Sequence, residues 1–421
     1  MSETAAPPAQ TAAGCPFHRF LDFDSFDQGT PRAYLNELRD GHRILWESDE
    51  YATGGHWLLF HQKDIDHVLQ SPELFTNNFG PILDDFPPDL LTEQQESLTF
   101  MDPPRHRQYR ALVDYAFRPT AMRAREPMMR ALASEILDAV LPNGSCEFVS
   151  EVALQFPMRV IYAVLGVREE DFAYVADLTN TLTLADDPEY AENRQAGFIA
   201  SMKLMEFGAV LAADHRAHPR ESLTMDAIGS EIDGHSLSDV EYGRFFNNLI
   251  VGGMETTRNT LAWAMAEFIA HPEQYALLQA DPELVQGAVE EVLRFRNPVV
   301  YLRRTATREQ ELAGQTIAKG DKVVCVLGAP NRDPAFFAEP DRFDIRRAVP
   351  NTRRNYRTFG AGPHYCLGIQ QARSNLTVMI GEMARRIHNP RLLAEPRHAR
   401  SIFMDGFKEL RIAFDPEGAA A

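Results

Sequence analysis

A chain of 421 residues with 44% apolar, 10% aromatic and 24% charged side chains has the composition of a soluble globular protein, which excludes the disordered and low-complexity classes. Asp and Glu number 60 against 42 Lys and Arg, a formal net charge of −18, and that sign disfavours duplex nucleic acid or an anionic membrane as the main partner. Four cysteines, Cys15, Cys146, Cys325 and Cys366, are spaced too widely for a disulfide framework or a C-x-x-C zinc site.

In chain order, residues 1–14 are small, polar and Pro-rich and read as a flexible tail. The start has no cationic stretch followed by an apolar one, and no run reaches the ~18 apolar residues of a membrane span. The expectation is a cytoplasmic chain with no membrane anchor. No linker or repeat divides the rest of the chain, so residues 15–421 are expected to form one domain. Strand signals are short and few: His56-Trp57-Leu58-Leu59-Phe60 early, then 322–326 and 410–414 late. The remainder carries helical patterns, which gives a mainly α fold with small β-sheets.

The clearest helix opens on a capping box, Ser238-Asp239-Val240-Glu241, and closes at His271-Pro272. That is roughly 32 residues, about 48 Å at the α-helical rise, enough to cross a domain. Residues 245–270 are apolar on most faces, as in a helix buried in a core. Gly252 and Gly253 interrupt its centre, followed by Met254, Glu255, Thr256 and Thr257. Each glycine weakens a helix interior by about 1 kcal/mol relative to alanine, and a carboxylate in apolar surroundings adds a further cost. Either the glycines serve a packing contact while Glu255 reaches solvent, or the conflict marks a functional site.

Near the C-terminus stands Phe359-Gly360-Ala361-Gly362-Pro363-His364-Tyr365-Cys366-Leu367-Gly368. A helical pattern comes next, with Ile369, Ala372, Leu376, Met379 and Ile380 on one face. Cys366 then lies at a helix N-terminus, where free N–H groups and the dipole favour a thiolate. Glycines let backbone approach a flat ligand closely, and a metal-bound thiolate held this way is what a haem–cysteine site requires. Two other readings stand beside it. One is an inert buried cysteine. The other is a nucleotide loop, although Tyr365 holds the place of its third glycine and no strand is evident immediately before it.

This ten-residue loop resembles the haem-binding loop of the cytochrome P-450 monooxygenases, F-G-x-G-x-H-x-C-x-G, at every fixed position. Further segments resemble the family's other motifs in the expected order. Glu291-Val292-Leu293-Arg294 is similar to its E-x-x-R motif, and Pro340-Asp341-Arg342-Phe343 to the segment supplying a second arginine. Gly252-Gly253-Met254-Glu255-Thr256 resembles the oxygen-activating groove, with Gly252 in place of the usual Ala. Asp102-Pro103-Pro104-Arg105-His106 through Arg110 resembles the haem-contacting H-x-x-x-R helix. Together these matches run from about residue 100 to 370, and they place the chain with the bacterial class I members.

The resemblance implies a single-domain fold with a long central helix crossing a haem b. It makes Cys366 the axial ligand of the haem iron, with Phe359 and Gly360 beside the cofactor. His106, Arg110, Arg304 and His364 would hold the propionates, Arg304 being preferred to its neighbour Arg303. Glu291, Arg294 and Arg342 would form a buried ion network. Thr256 and Glu255 would serve proton delivery to O2, the co-substrate. Electrons would come from NAD(P)H through a reductase and a ferredoxin, steered by Arg105, Arg107, Arg353, Arg354 and Arg357, with the enzyme a monomer. The pocket would draw on 78–96, 181–185, Phe245, Asn248, Leu249, Gly252, Val299, Val300, Tyr301, Phe403 and Met404, and would suit a medium-sized apolar terpenoid, steroid or lipid. Asn248 would bond either a substrate oxygen or a neighbouring backbone group. Desaturation or C–C coupling, or a ligand sensor without turnover, are the competing functions.

Overall fold

The computed structural model describes residues 20–21, 23–48, 55–183, 187, 189, 194–232 and 234–415; the expected tail at 1–14 lies outside them. The central helix runs unbroken from Asp239 to Ala270. Its start is the capping box read from the sequence: the Ser238 hydroxyl accepts the Glu241 N–H while the Glu241 carboxylate accepts the Ser238 N–H. At its end the chain turns at His271, and Pro272 opens the next helix, Pro272–Ala280.

Two apolar clusters form around the two halves of this helix. Phe245, Phe246, Leu249 and Ile250 pack with Tyr162 of helix Gln155–Leu165 and with Leu204 and Leu211 of helix Arg194–Ala217. Ala262, Met265 and Phe268 pack with Val292 and Leu293 and with Met379 and Met383 of helix Ile369–Arg386. The close crossing with Arg194–Ala217 depends on Gly243, because a Cβ there would fall on the Met205 carbonyl oxygen. Within that partner helix, Gln195–Ala217 is long and apolar enough to cross a membrane by length and composition. Its Lys203 and Glu206 break the apolar run that the sequence count required.

The largest sheet has five short strands in the order Ile44–Glu47, His56–Leu59, Lys322–Val326, Tyr301–Ala306, Phe75–Thr76. All its pairings are antiparallel except that of Lys322–Val326 with His56–Leu59. Side chains alternate along a strand, so the neighbours Arg303 and Arg304 on Tyr301–Ala306 leave it in opposite directions. Arg303 points to the loop before helix Pro88–Gln94, where it donates to the carbonyls of Ile82, Leu83 and Asp84 and to Asp85 at 2.8 Å. Lys322 also reaches Asp85, at 2.6 Å. Arg304 is thereby left for the other side.

Helix Val285–Phe295 carries the E-x-x-R pair, and both side chains are 0% exposed. Arg294 donates two bonds to Glu291, at 2.8 and 2.7 Å, and further bonds to the carbonyls of Asn331, Pro340 and Arg342. The expected third member, Arg342, is not in the network as a side chain. Its guanidinium is 56% exposed and pairs with Glu339 at 3.0 Å. Arg347 takes the place, its Nε 3.1 Å from Glu291 Oε1. The turn closed by Arg342 N–H on the Glu339 carbonyl leaves the Arg342 carbonyl inward, where both Arg294 and Arg347 bond to it.

Candidate active site

The cysteine loop is tied back on itself and onto its neighbours. Cys366 N–H donates to the Phe359 carbonyl at 3.1 Å. Gly362 has φ +71°, and a Cβ on it would strike the Leu69 carbonyl, so the loop lies directly on helix Gln62–Gln70. The Gly368 backbone N–H, at the start of helix Ile369–Arg386, acts on the Cys366 sulfur in favour of the thiolate. Burial pushes the Cys366 thiol up, while that N–H and the charges of Arg110 and Arg373 act in the opposite direction. Cys146 and Cys325 are buried, and burial pushes both thiols up to about 12; this suits inert core positions. Cys15 lies outside the described residues.

Four cationic or potentially cationic groups converge beside the loop. Helix Arg105–Asp114 presents His106 and, one turn later, Arg110. Arg110 donates to the carbonyls of Pro363 and Tyr365, at 3.2 and 2.6 Å. The rings of His106 and His364 lie 4.0 Å apart, and His364 Nε2–H donates to the Met101 carbonyl at 3.0 Å. Arg304 is buried against them and donates to the Arg303 carbonyl at 2.7 Å. Burial, followed by the charges of Arg110, Arg304 and Arg107, holds His106 down at about 4. Burial, then Arg304, His106 and Arg110, hold His364 well below the usual histidine range.

This cluster fits a ligand that brings negative charge. His106 Nδ1 is buried with no hydrogen-bond partner among the described residues, and a buried donor of that kind normally has one. Asp102, whose charge reaches Arg304, is already engaged by the Asn77 N–H at 2.9 Å and by the Thr76 hydroxyl. Two propionates would supply the missing acceptors and relieve the mutual repulsion of the cations. Together with a sulfur ligand at a helix start and glycine-lined backbone, the donor set is one that haem fits.

A second group lies on the central helix. A Cβ built on Gly252 meets no atom within 4 Å, so this glycine is not held by packing. The Thr256 hydroxyl donates one turn back, to the Gly252 carbonyl at 3.0 Å. Glu255 does not reach solvent: it is 2% exposed and pairs with Arg258 at 3.1 Å. Asn259 Nδ2 donates to the same carboxylate oxygen at 3.3 Å, and Glu255 Oε2 has no partner among the described residues. Arg258 and Asn259 escaped sequence reasoning. The signal was their spacing, three and four residues after Glu255 on one helix.

The expected pocket residues fall into two sets. Val299 bridges Met404, and the Val300 N–H donates to the Phe403 carbonyl at 2.9 Å, so these two stretches form one wall. Val300 itself is spent on the core with Phe20 and Val326. Phe245 and Leu249 are buried in the cluster on the N-terminal half of the central helix. Asn248 is fully engaged: it donates to the Arg244 carbonyl and to Ser97, both at 2.8 Å, and accepts from Thr99 at 3.1 Å. It fastens the loop at 97–99 to the central helix, so the substrate-bonding alternative for it falls away. In the segment 181–185, residues 184 and 185 lie outside the described residues.

Three of the five expected steering arginines are engaged in ion pairs. Arg105 pairs with Glu96, Arg353 with Glu290 at 2.7 Å, and Arg357 with Asp66 at 2.5 Å. Arg107 and Arg354 are exposed and form no ion pair among the described residues.

Comparison with known proteins agrees with this geometry. The family model described as Cytochrome P450 matches residues 56–387. A steroid C26-monooxygenase of Rhodococcus jostii is 30% identical over 404 residues, covering 94% of this chain and 84% of that one. A methyl-branched lipid omega-hydroxylase of Mycobacterium tuberculosis is 31% identical over 417 residues, 97% and 96% of the two chains. The solved structure of a Mycobacterium marinum cytochrome P450 in complex with pseudoionone superposes with a TM-score of 0.87 at 31% identity, covering 96% of this chain and all of that one. The mainly helical chain with its small sheets, the cysteine loop and the buried Glu291–Arg294 pair thus belongs to the cytochrome P450 family, a family of haem-dependent monooxygenases that use O2.

Proposed function

We propose that this chain, with residues 15–421 as its catalytic domain, inserts one oxygen atom of O2 into a medium-sized apolar substrate of steroid or branched-lipid type. The observation that carries the reading is the pairing of two built groups. One is a cysteine loop ringed by His106, Arg110, Arg304 and His364; the other is the Glu255–Thr256 pair beside the open Gly252. Haem b, bound through Cys366, supplies the activation of O2.

The chain's own residues do the rest. His106, Arg110, Arg304 and His364 bind the two carboxylates of the cofactor. The Gly368 N–H steadies the Cys366 sulfur. Thr256 presents a hydroxyl that can leave the Gly252 carbonyl and donate into the groove. Glu255, kept out of solvent and held by Arg258 and Asn259, passes protons toward Thr256. An acid and an alcohol arranged in this way favour turnover over ligand sensing.

The substrate class is supported by the apolar character of both sets of expected pocket residues, Val299, Phe403 and Met404 in one and Phe245 and Leu249 in the other. The names of the relatives, one acting on a steroid and one on a methyl-branched lipid, point the same way. Electrons come from NAD(P)H through a ferredoxin reductase and a ferredoxin, with Arg107 and Arg354 offering the free positive charge for an acidic carrier. We place the enzyme in the cytoplasm as a monomer. The test is an absorption spectrum of the reduced, carbon monoxide-treated protein, then titration of the ferric protein with steroid, branched-lipid and terpenoid panels. The far-shifted Soret band of thiolate haem and a spin change with one panel are expected. Absence of the band in haem-replete protein overturns the reading.

A further inference from the structure

Glu290 stands immediately before the E-x-x-R glutamate, yet takes no part in its network. One residue along a helix turns the side chain by about 100°, and Glu290 faces the helix that follows the cysteine loop instead. It is 1% exposed and bound by two arginines. Arg373 donates to it through Nε at 2.9 Å and Nη2 at 3.3 Å, and Arg353 donates through Nε at 2.7 Å. The Tyr356 hydroxyl donates to Glu290 Oε2 at 2.6 Å and accepts from Arg373 Nη2 at 2.9 Å. Two guanidinium groups on one buried carboxylate leave this cluster with a net charge of +1.

The cluster rests against the first residue of the cysteine loop. The Arg373 guanidinium lies 5.4 Å from the centroid of the Phe359 ring, and the Tyr356 ring lies 6.0 Å from it. The Phe359 carbonyl in turn accepts the Cys366 N–H. Arg373 stands one turn into helix Ile369–Arg386, which begins three residues after Cys366, so its charge lies on the side of the loop that carries the sulfur. A fixed positive charge in a poorly screened interior stabilises whichever oxidation state carries more negative charge, and for a thiolate-bound iron that is the reduced state.

We propose that Glu290, Arg373, Arg353 and Tyr356 form a positioning cluster that sets the reduction potential of the haem, with the arginines raising it and Glu290 lowering it. The proposal rests on Cys366 being the iron ligand. Removing Glu290 leaves a net +2, whereas removing Arg373 leaves zero, so the two changes act with opposite sign. A purely structural cluster has no such property, because losing either partner would loosen the loop in the same way.

The test is a spectroelectrochemical titration of the haem-loaded enzyme, with the reduced carbon monoxide spectrum recorded for each variant. Glu290→Gln is expected to raise the potential and Arg373→Gln to lower it. Each shift is expected to be several-fold to about tenfold in the reduction equilibrium, tenfold being ~59 mV for one electron. Arg353→Gln should lower it less, because Arg353 is 39% exposed and better screened. Arg373→Lys should restore most of the Arg373→Gln loss, and this pair with Arg353→Gln decides the matter if Glu290→Gln fails to load haem. Thiolate bands kept while the potentials stay fixed, or all move in one direction, overturn the proposal. A wild-type protein without the thiolate band instead overturns the Cys366 assignment on which it rests.

Discussion

Replacing Arg347 by methionine tests whether the buried network around Glu291 is built as described. The substitution removes the Nε bond to Glu291 at 3.1 Å, and with it bonds to the carbonyls of Ala338 and Glu339, both at 2.7 Å, and of Arg342 at 3.0 Å. Breaking one partner of a buried ion pair costs about 3–5 kcal/mol. Glu291 keeps its two bonds to Arg294, so the loss should lie near the lower end, about 3 kcal/mol. Arg342→Met removes a surface pair with Glu339 and a looser one with Asp344 at 3.9 Å, and such pairs contribute roughly 0–1 kcal/mol. At about 2.1 cal/mol/K per residue, the unfolding entropy of 421 residues is roughly 0.9 kcal/mol/K. Arg347→Met should therefore lower Tm by about 3–4 °C, and Arg342→Met by about 1 °C or less. Calorimetry of the two variants beside wild type, at one scan rate, makes the comparison. Equal losses, or a larger loss at Arg342, would refute the assignment of Arg347 to the network.

Thr256→Ala should keep NAD(P)H consumption but divert it from product to hydrogen peroxide, while Glu255→Gln should slow product formation by about 10²-fold; reductant, product and peroxide measured together check both. His106 is held at about 4, below its ordinary histidine value. The unfolded chain therefore binds more protons between about pH 6.5 and 4, and stability falls as pH drops through that window, by up to about 3 kcal/mol. Urea unfolding of the haem-free protein at pH 7 and pH 5 should show about 2 kcal/mol of this loss in wild type and its reduction in His106→Asn, and an unchanged slope in that variant would count against the burial argument. Arg107→Gln with Arg354→Gln should slow reduction by ferredoxin and flatten its salt dependence without changing Tm, as seen by stopped flow at low and high ionic strength.

Local patterns were legible from the sequence wherever a few neighbouring residues specify their own geometry. The capping box at Ser238 and Glu241 is such a case, as is the Pro272 that starts the next helix. Glu291 and Arg294 are another: three residues apart on a helix, they meet whatever packs above them. The cysteine loop carried its function in ten adjacent positions. Arg347 was not legible, because its place beside Glu291 depends on how the turn between Glu339 and Arg342 points its carbonyls. Arg303 and Arg304 could be told apart only through strand alternation and through which loop lies on each side of Tyr301–Ala306.

Charge is where the sequence misleads most, since it shows the sign of a residue and not its partner. Five arginines flanking the cysteine face read as a docking patch, but three of them are committed to Glu96, Glu290 and Asp66. Glu290 and Asp66 lie 63 and 291 residues from their arginines, so no window along the chain could have subtracted them; Glu96, nine residues from Arg105, is the nearer exception. The same blindness hid Arg258: a basic residue three positions after Glu255 looks like a solvated helix face until the burial of both is known. An ion pair out of water has to be matched closely because its desolvation is costly. The helix therefore carries a restraint on Glu255 wherever it packs that face away. The acid is held in place by the fold rather than by the groove motif in which it was recognised.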